Sequence, residues 1–109
     1  MSKHRLRMTI PTQLVLRALL HDPARELYGV EISGAAGLPS GTVHPILARL
    51  ESLGWVESRW EDIDPRKEGR PARRYYRLTS GGLESAQSAL ARAYRPARNP
   101  RFQLAPGQT

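Results

Sequence analysis

Residues 38–60 read LPSGTVHPILARLESLGWVESRW, and this stretch decides the fold. Its apolar residues recur at spacings of three and four, which predicts an amphipathic helix; they are Val43, Ile46, Leu47, Leu50 and Leu53. We expect a helix over about residues 40–53, capped by Ser40 or Thr42 and ended by Gly54. Pro45 favours a start near Thr42, because proline is best tolerated in the first helical turn.

Upstream of this helix, Gly37-Leu38-Pro39 predicts a turn, because Gly37 can adopt positive φ and Pro39 prevents the preceding helix from continuing. Before the turn we expect a short second helix from Leu27 to Ala36. Its inward-facing candidates are Val30, Ile32, Ala35 and Ala36. A first helix is expected from Pro11 to His21. Its apolar residues cover much of its circumference, so it is either central in a core or shared between a core and a partner.

Downstream, residues 55–60 and 74–78 favour β-strands, and residues 61–73 combine loop-forming residues with cations. We therefore expect a β-hairpin with a long polar tip. Tyr75 and Tyr76 must point to opposite faces of their strand, and the pattern does not decide which of them enters the core. Thr79 can cap a further helix from Ser80 to about Arg95. This order of elements predicts a winged helix-turn-helix, which is mostly α with a small β-hairpin (α+β), followed by a C-terminal dimerisation helix.

Composition excludes several classes of protein. The 109 residues suit one domain, and the absence of cysteine excludes disulfides, thiol catalysis and thiolate metal sites. The sequence contains no apolar run of 18 residues, so we expect no transmembrane span and no membrane partner. The absence of cysteine fits a reducing cytoplasm, which is the expected location. The three histidines, His4, His21 and His44, have no partners at metal-site or catalytic-triad spacing. We therefore predict that the chain is not an enzyme and needs no metal or cofactor.

The formal net charge is +7, and its distribution is uneven. Residues 1–7 hold three basic residues and no acidic one, whereas residues 8–61 hold four basic and six acidic residues. The predicted hairpin and the C-terminal segment are basic again. Basic appendages on a near-neutral body are typical of phosphate binding. General solubility is the alternative, and Asp62, Asp64 and Glu68 could neutralise the hairpin loop internally.

The helix over residues 40–53 has small polar residues at its start, as a helix that enters the DNA major groove requires. Ser-Gly-Thr is also an ordinary capping sequence, and Tyr28 could simply pack on this helix. Trp60 is expected at the sheet edge, with ligand stacking as the alternative. The predicted DNA-contacting residues are Tyr28, Ser40, Gly41, Thr42, Val43, His44, Arg49, Arg66, Lys67, Arg70 and Arg73.

Four motifs carry a resemblance to the PadR family of transcriptional regulators: YGVEI at residues 28–32, SGTVHPIL at 40–47, LESLGWVES at 50–58 and RYYRLTSGG at 74–82. The resemblance implies a homodimeric winged-helix repressor of the short branch, which has a single C-terminal helix. It also implies that the first and last helices pair across the dimer. It suggests a small hydrophobic or phenolic effector, as some members bind. The family usually has Tyr at the position of His44. The expected dimer-interface residues are Leu14, Leu83, Ala86, Leu90 and Tyr94.

These observations predict four segments: a basic N-terminal arm (1–9), a winged helix-turn-helix domain (10–79), a dimerisation helix (80–95) and a disordered basic tail (96–109). The predicted function is a homodimeric, sequence-specific DNA-binding regulator, acting as a repressor on a palindromic operator in double-stranded DNA. Two alternatives stay open: a winged-helix module that binds an acidic protein, and a non-specific nucleic-acid-binding protein.

Overall fold

Five helices and three short strands make up residues 6–94, which are the residues that the computed structural model describes. The elements are α1 (Ile10–Leu20), β1 (Leu27–Tyr28), α2 (Gly29–Ala36), α3 (Ser40–Ser52), β2 (Val56–Trp60), α4 (Pro65–Glu68), β3 (Arg74–Leu78) and α5 (Ser80–Ala93). The start of the expected basic arm and the expected tail over 96–109 lie outside the described residues.

Helices α1, α2 and α3 enclose the core. Their fully buried side chains are Val15, Leu16, Ile32, Val43, Leu47 and Leu50. Helix α1 begins one residue earlier than expected, because the Thr9 hydroxyl accepts a hydrogen bond from the Thr12 N–H at 3.3 Å and caps it. Leu6 and Met8 pack half-buried against the core. The end of the expected arm therefore belongs to the folded body.

Helix α2 departs from the sequence-based expectation at its first residues and in the face that it buries. Leu27 and Tyr28 form a strand instead of a first helical turn. The helix begins at Gly29, where the Glu31 carboxylate accepts a hydrogen bond from the Tyr28 N–H at 3.1 Å. With this start, Val30 is 72% exposed and Ala35 is exposed, so the prediction that both face inward was wrong.

The turn and α3 follow the expected order with one correction. Gly37 has a φ of 70°, the left-handed conformation that glycine adopts without strain. Helix α3 starts at Ser40 and not near Thr42. The N–H groups of Thr42 and Val43 both donate to the Pro39 carbonyl, at 2.9 and 3.1 Å, so the first turn is tightened. Pro45 is tolerated inside the helix because it removes a single donor near an exposed end.

The three strands form an antiparallel sheet in the order β1-β3-β2, so the predicted hairpin gains a third strand. Val56 pairs with Leu78, and Trp60 pairs with Arg74. This register places Tyr76 on the inner face with Leu78, where it is 8% exposed. Tyr75 lies on the opposite face beside Tyr28, its neighbour in β1.

The open end of the β2–β3 hairpin is joined to α5 by backbone contacts. The Thr79 N–H donates to the Trp55 carbonyl at 3.0 Å, and the Thr79 hydroxyl accepts from the Gly82 N–H at 2.8 Å. A Cβ on Gly82 would lie 1.8 Å from the Trp55 carbonyl oxygen. Only glycine permits this approach of the helix to the strand.

Helix α5 packs its small residues inward against α1 and leaves larger ones near the surface. Leu83 and Leu90 are half-buried, and Tyr94, which caps the end of the helix, is 69% exposed. Ala86 is fully buried within the protomer. We therefore remove Ala86 from the expected dimer-interface residues, since its side chain is not available to a partner.

Candidate nucleic-acid interface

The outer face of α3 presents small, polar and cationic side chains. Its exposed residues are Ser40, Gly41, His44, Pro45, Ala48, Arg49 and Ser52. Thr42 is half-buried at the edge of this face. Val43 is fully buried in the core, so the expectation that it contacts DNA was wrong. The apolar periodicity of the helix already places Val43 with Leu47 and Leu50.

Arg49 lies further along α3, beside the segment that precedes α1. Its side chain and Arg7 line the same shallow depression, together with Thr9 and Ile46. Both arginines are exposed. The basic N-terminal segment and α3 thus contribute cations to one region of the surface.

The wing, residues 61–73 between β2 and β3, contains a short helix where the sequence predicted only a loop. Asp64 caps α4 by accepting a hydrogen bond from the Arg66 N–H at 3.0 Å, and Pro65 occupies its first position. Helix α4 carries Arg66 and Lys67, both exposed. Within residues 6–94 neither side chain forms an ion pair. These two charges are available to a partner.

Arg70 is held at the base of the wing. Its guanidinium donates to both carboxylate oxygens of Glu61, at 2.8 and 2.9 Å, and the Arg73 N–H donates to the same carboxylate at 3.1 Å. The hydrogen bond from Arg70 lowers the pKa of Glu61 to about 2, and the hydrogen bond from the Arg73 backbone contributes. Glu61 therefore neutralises part of the wing. The carboxylates that the sequence offered as alternatives for that role, Asp62, Asp64 and Glu68, form no ion pair in the described part of the chain.

Tyr28 and Arg73, both predicted to contact DNA, lie together at the base of the wing. The Arg73 guanidinium lies 4.3 Å from the centre of the Tyr28 ring, at cation–π distance. The Tyr28 ring meets Tyr75 edge to face, with ring centres 5.6 Å apart. Tyr28 thus packs on side chains of the sheet and the wing base.

A groove between the start of α3 and the base of the wing brings together residues that sequence analysis did not group. Its lining includes Ser40 and His44 of α3, Val30 of α2, and Trp60 and Arg73 at the wing base. Val30 was expected in the core and Trp60 at the sheet edge. The groove could have been predicted only from the exposure of both apolar side chains. That exposure depends on the register of the sheet and on the residue at which α2 begins.

Residues 6–94 contain neither a candidate metal site nor a candidate membrane-spanning helix. Within residues 6–94, no group of three or more His, Asp or Glu side chains is arranged to hold a metal ion. No helix in that range has the length and apolar character to cross a bilayer.

Solved structures with a similar fold include bacterial transcriptional regulators. A PadR family transcription regulator from hypervirulent Clostridium difficile R20291 is 22% identical with a TM-score of 0.64, covering 89% of this chain and 99% of that one. A PadR family transcriptional regulator from Eggerthella lenta DSM 2243 is 27% identical with a TM-score of 0.59, covering 76% of this chain and 73% of that one.

The PcaV transcriptional regulator from Streptomyces coelicolor, solved in complex with its natural ligand, is 28% identical with a TM-score of 0.64. The alignment covers 91% of this chain and 62% of PcaV. No curated protein matches this chain. Residues 18–88 match the transcriptional regulator PadR-like family, and this segment runs from α1 through the wing into α5. The chain belongs to the PadR-like family of DNA-binding transcriptional regulators.

Proposed function

We propose that this regulator is a homodimeric repressor that reads a palindromic operator with α3 and binds the flanking backbone with its wing. The observation that carries the proposal is the pairing of two exposed features: the small polar start of α3, and the cations Arg66 and Lys67 on α4, which have no ion pair within residues 6–94. A helix with small side chains at its entering end can approach base edges, and unpaired cations on the wing can neutralise phosphates.

The proposed contacts divide into two classes. Ser40, Gly41, Thr42 and His44 are the candidates for base contacts, because they lie at the end of α3 that enters a groove in helix-turn-helix proteins. Arg49, Arg66 and Lys67 are the candidates for phosphate contacts, since all three are exposed. Arg70 is a weaker candidate for a phosphate contact, because Glu61 already binds its guanidinium in the free protein.

Homodimerisation is supported by apolar surface at the N-terminal and C-terminal helices. Leu14 on α1 and Leu83 and Leu90 on α5 are half-buried in the protomer, and Tyr94 is exposed. These two helices pack on each other. A two-fold interface there would place two copies of α3 on one side of the dimer, as a palindromic site requires.

An effector is part of the proposal because PcaV was solved with its natural ligand. A small hydrophobic or phenolic molecule fits the resemblance noted from the sequence. A ligand alters DNA binding only if it binds the DNA-competent and DNA-incompetent forms with different affinities. Release of the selected duplex on addition of a phenolic acid would support this part of the proposal, and unchanged binding would contradict it.

Selection of bound duplexes from a random pool at near-physiological salt tests the main proposal. We expect enrichment of a palindrome whose half-sites are one helical turn apart, about 10 base pairs. Sedimentation of the free protein should give a dimer, and Leu90→Glu should give a monomer that binds the palindrome more weakly. Recovery of DNA without a common motif would indicate a non-specific binder. Recovery of no DNA would contradict the proposal.

A further inference from the structure

Two large apolar side chains beside the start of α3 are unusually exposed. Val30 is 72% exposed and Trp60 is 61% exposed, and both line the groove between α3 and the base of the wing. Tyr76 forms part of its floor. Two exposed apolar side chains that lie together beside a candidate interface would gain from burial against a partner. We name it the Val30–Trp60 groove.

The charged groups that line this groove are all cationic. Arg73 and Arg74 contribute to its lining, and none of its lining residues is a carboxylate. Arg73 contacts the Tyr28 ring and forms no ion pair within residues 6–94. The groove therefore suits a partner that alternates apolar and anionic groups.

The indole of Trp60 is held in place before any partner arrives. The Arg74 guanidinium lies 5.0 Å from the centre of the Trp60 ring. Arg74 is fixed in turn by a 3.1 Å hydrogen bond to the Ser58 hydroxyl, which donates to the Glu51 carboxylate of α3 at 2.7 Å. A side chain that is already ordered loses little conformational entropy on binding. Arg74 is a positioning residue for Trp60.

The position of the groove identifies its occupant, and here the inference rests on the proposed function. A strand of the sugar–phosphate backbone separates the major from the minor groove of a duplex. If α3 enters the major groove and the wing lies over the minor groove, the surface between them must face that backbone. We propose that the Val30–Trp60 groove binds the backbone of one DNA strand, with a deoxyribose ring against Trp60 and Val30 and a neighbouring phosphate near Arg73.

Contacts of this kind fix the orientation of a protein on the duplex and carry no sequence information. The proposal therefore predicts a specific pattern for Trp60→Ala. Affinity should fall by about 5- to 30-fold, the range that corresponds to losing one or two kcal/mol. The loss should be equal on the selected palindrome and on a scrambled duplex. Trp60→Phe should retain most of the affinity, because a smaller aromatic ring still covers the sugar.

Hydroxyl-radical footprinting of the full chain on the selected palindrome tests the contact directly, because the radical attacks deoxyribose. We expect Trp60→Ala to lose protection at one or two sugars per half-site, between the major-groove and minor-groove contacts, while protection elsewhere persists. Val30→Thr should reduce the protection of the same sugars, so the contact can still be tested if Trp60→Ala folds poorly. Ile10→Ala is the matched control, since Ile10 is 65% exposed but lies outside the groove.

The outcomes separate this inference from the function on which it rests. A wild-type footprint that is unchanged in Trp60→Ala and Val30→Thr would overturn the groove contact and leave the repressor proposal intact. Loss of affinity on the palindrome alone would also overturn it, because it would indicate base reading. If wild-type protein protected no duplex, both the inference and the proposed function would fail.

Discussion

The two ends of the β2–β3 hairpin are fixed by different kinds of contact. At the open end, Gly82 of α5 lies against the Trp55 backbone so closely that no side chain fits between them. At the wing end, the Glu61 N–H donates to the Arg73 carbonyl at 2.7 Å, and the Glu61 carboxylate accepts hydrogen bonds from the Arg70 guanidinium and the Arg73 N–H. Close backbone packing tolerates little displacement, whereas a partly exposed ion pair rearranges at lower cost. The hairpin is therefore anchored at one end and adjustable at the end that we propose meets DNA.

The largest expected effect comes from Gly82→Ala at the anchored end. A Cβ 1.8 Å from the Trp55 oxygen forces the backbone apart. We expect a loss of roughly 3 kcal/mol in the free energy of unfolding, the upper part of the overpacking range. For a domain of this size that is a fall of roughly 12–24 °C in Tm, measured by circular dichroism.

Gly81→Ala is the matched control for that substitution. Gly81 is exposed, and an alanine Cβ at this position would have no neighbouring atom within 4 Å. Alanine is the better helix former, so Tm should stay constant or rise slightly. Equal losses in the two variants would mean that the junction is not held by close approach, and the contrast between the two ends would be lost.

The next largest effect is expected from removing the free charges of α4. Arg66→Gln combined with Lys67→Gln should reduce the slope of log K against log salt concentration by about 1.8, if each side chain neutralises one phosphate. Affinity should fall equally on the palindrome and on a scrambled duplex, since phosphates carry no sequence information. Fluorescence anisotropy at a series of salt concentrations measures both quantities. A slope that does not change would remove the wing from the DNA interface.

A smaller effect distinguishes the paired cation from the free ones. Arg70→Gln should leave the salt slope nearly unchanged, because the Arg70 charge is already neutralised by Glu61. Glu61→Gln should steepen the slope by up to about 0.9, because it frees the Arg70 charge for a phosphate. A full unit lost in Arg70→Gln would show that Arg70 leaves Glu61 when DNA binds. Arg70 at the wing base would then neutralise a phosphate in the same way as the cations of α4.

The smallest effect is expected in the titration of Glu61. Its pKa of about 2 in the folded protein lies below its ordinary value of 4.5, so the Arg70 contact stabilises the fold above about pH 4.5. That contribution declines as the pH falls from there towards 2. Carboxyl carbon NMR should show the Glu61 pKa rising towards 4.5 in Arg70→Gln. The difference in Tm between wild type and Arg70→Gln should shrink over the same pH interval.

The sequence predicted the elements with strong periodicity and failed where an element is short. Helix α3 and the Gly37–Pro39 turn were predicted because five apolar residues and two special backbone residues agree. Strand β1 has two residues and α4 has four, so neither can establish a period. The Asp64-Pro65 pair is a recognisable helix start, and it is the one local signal from which α4 could have been predicted.

The candidate site was harder to predict than the fold, because it depends on which side chains meet across the sheet. Tyr76 could have been assigned to the core from its i, i+2 relation to Leu78, a residue that the core requires. No local pattern indicates that Arg70 forms its ion pair with Glu61 when three other carboxylates lie in the wing. That choice follows from the pairing of Trp60 with Arg74, which brings the two ends of the wing together. Exposure of Val30 follows from the start of α2, which depends on β1.

Only one residue separates β3 from α5, so the wing strand and the C-terminal helix move together as a rigid unit. Leu78 ends the strand, Thr79 is the cap, and Ser80 begins the helix, so no linker absorbs a rotation. Because α5 packs closely on the Trp55 backbone at Gly82, a tilt of α5 is transmitted to the strand. The five residues of β3 extend roughly 17 Å, so a 10° tilt displaces the far end by about 3 Å. In the homodimer that we propose, whatever sets the angle of α5, whether the second subunit or a bound small molecule, would also set the distance between the two wings.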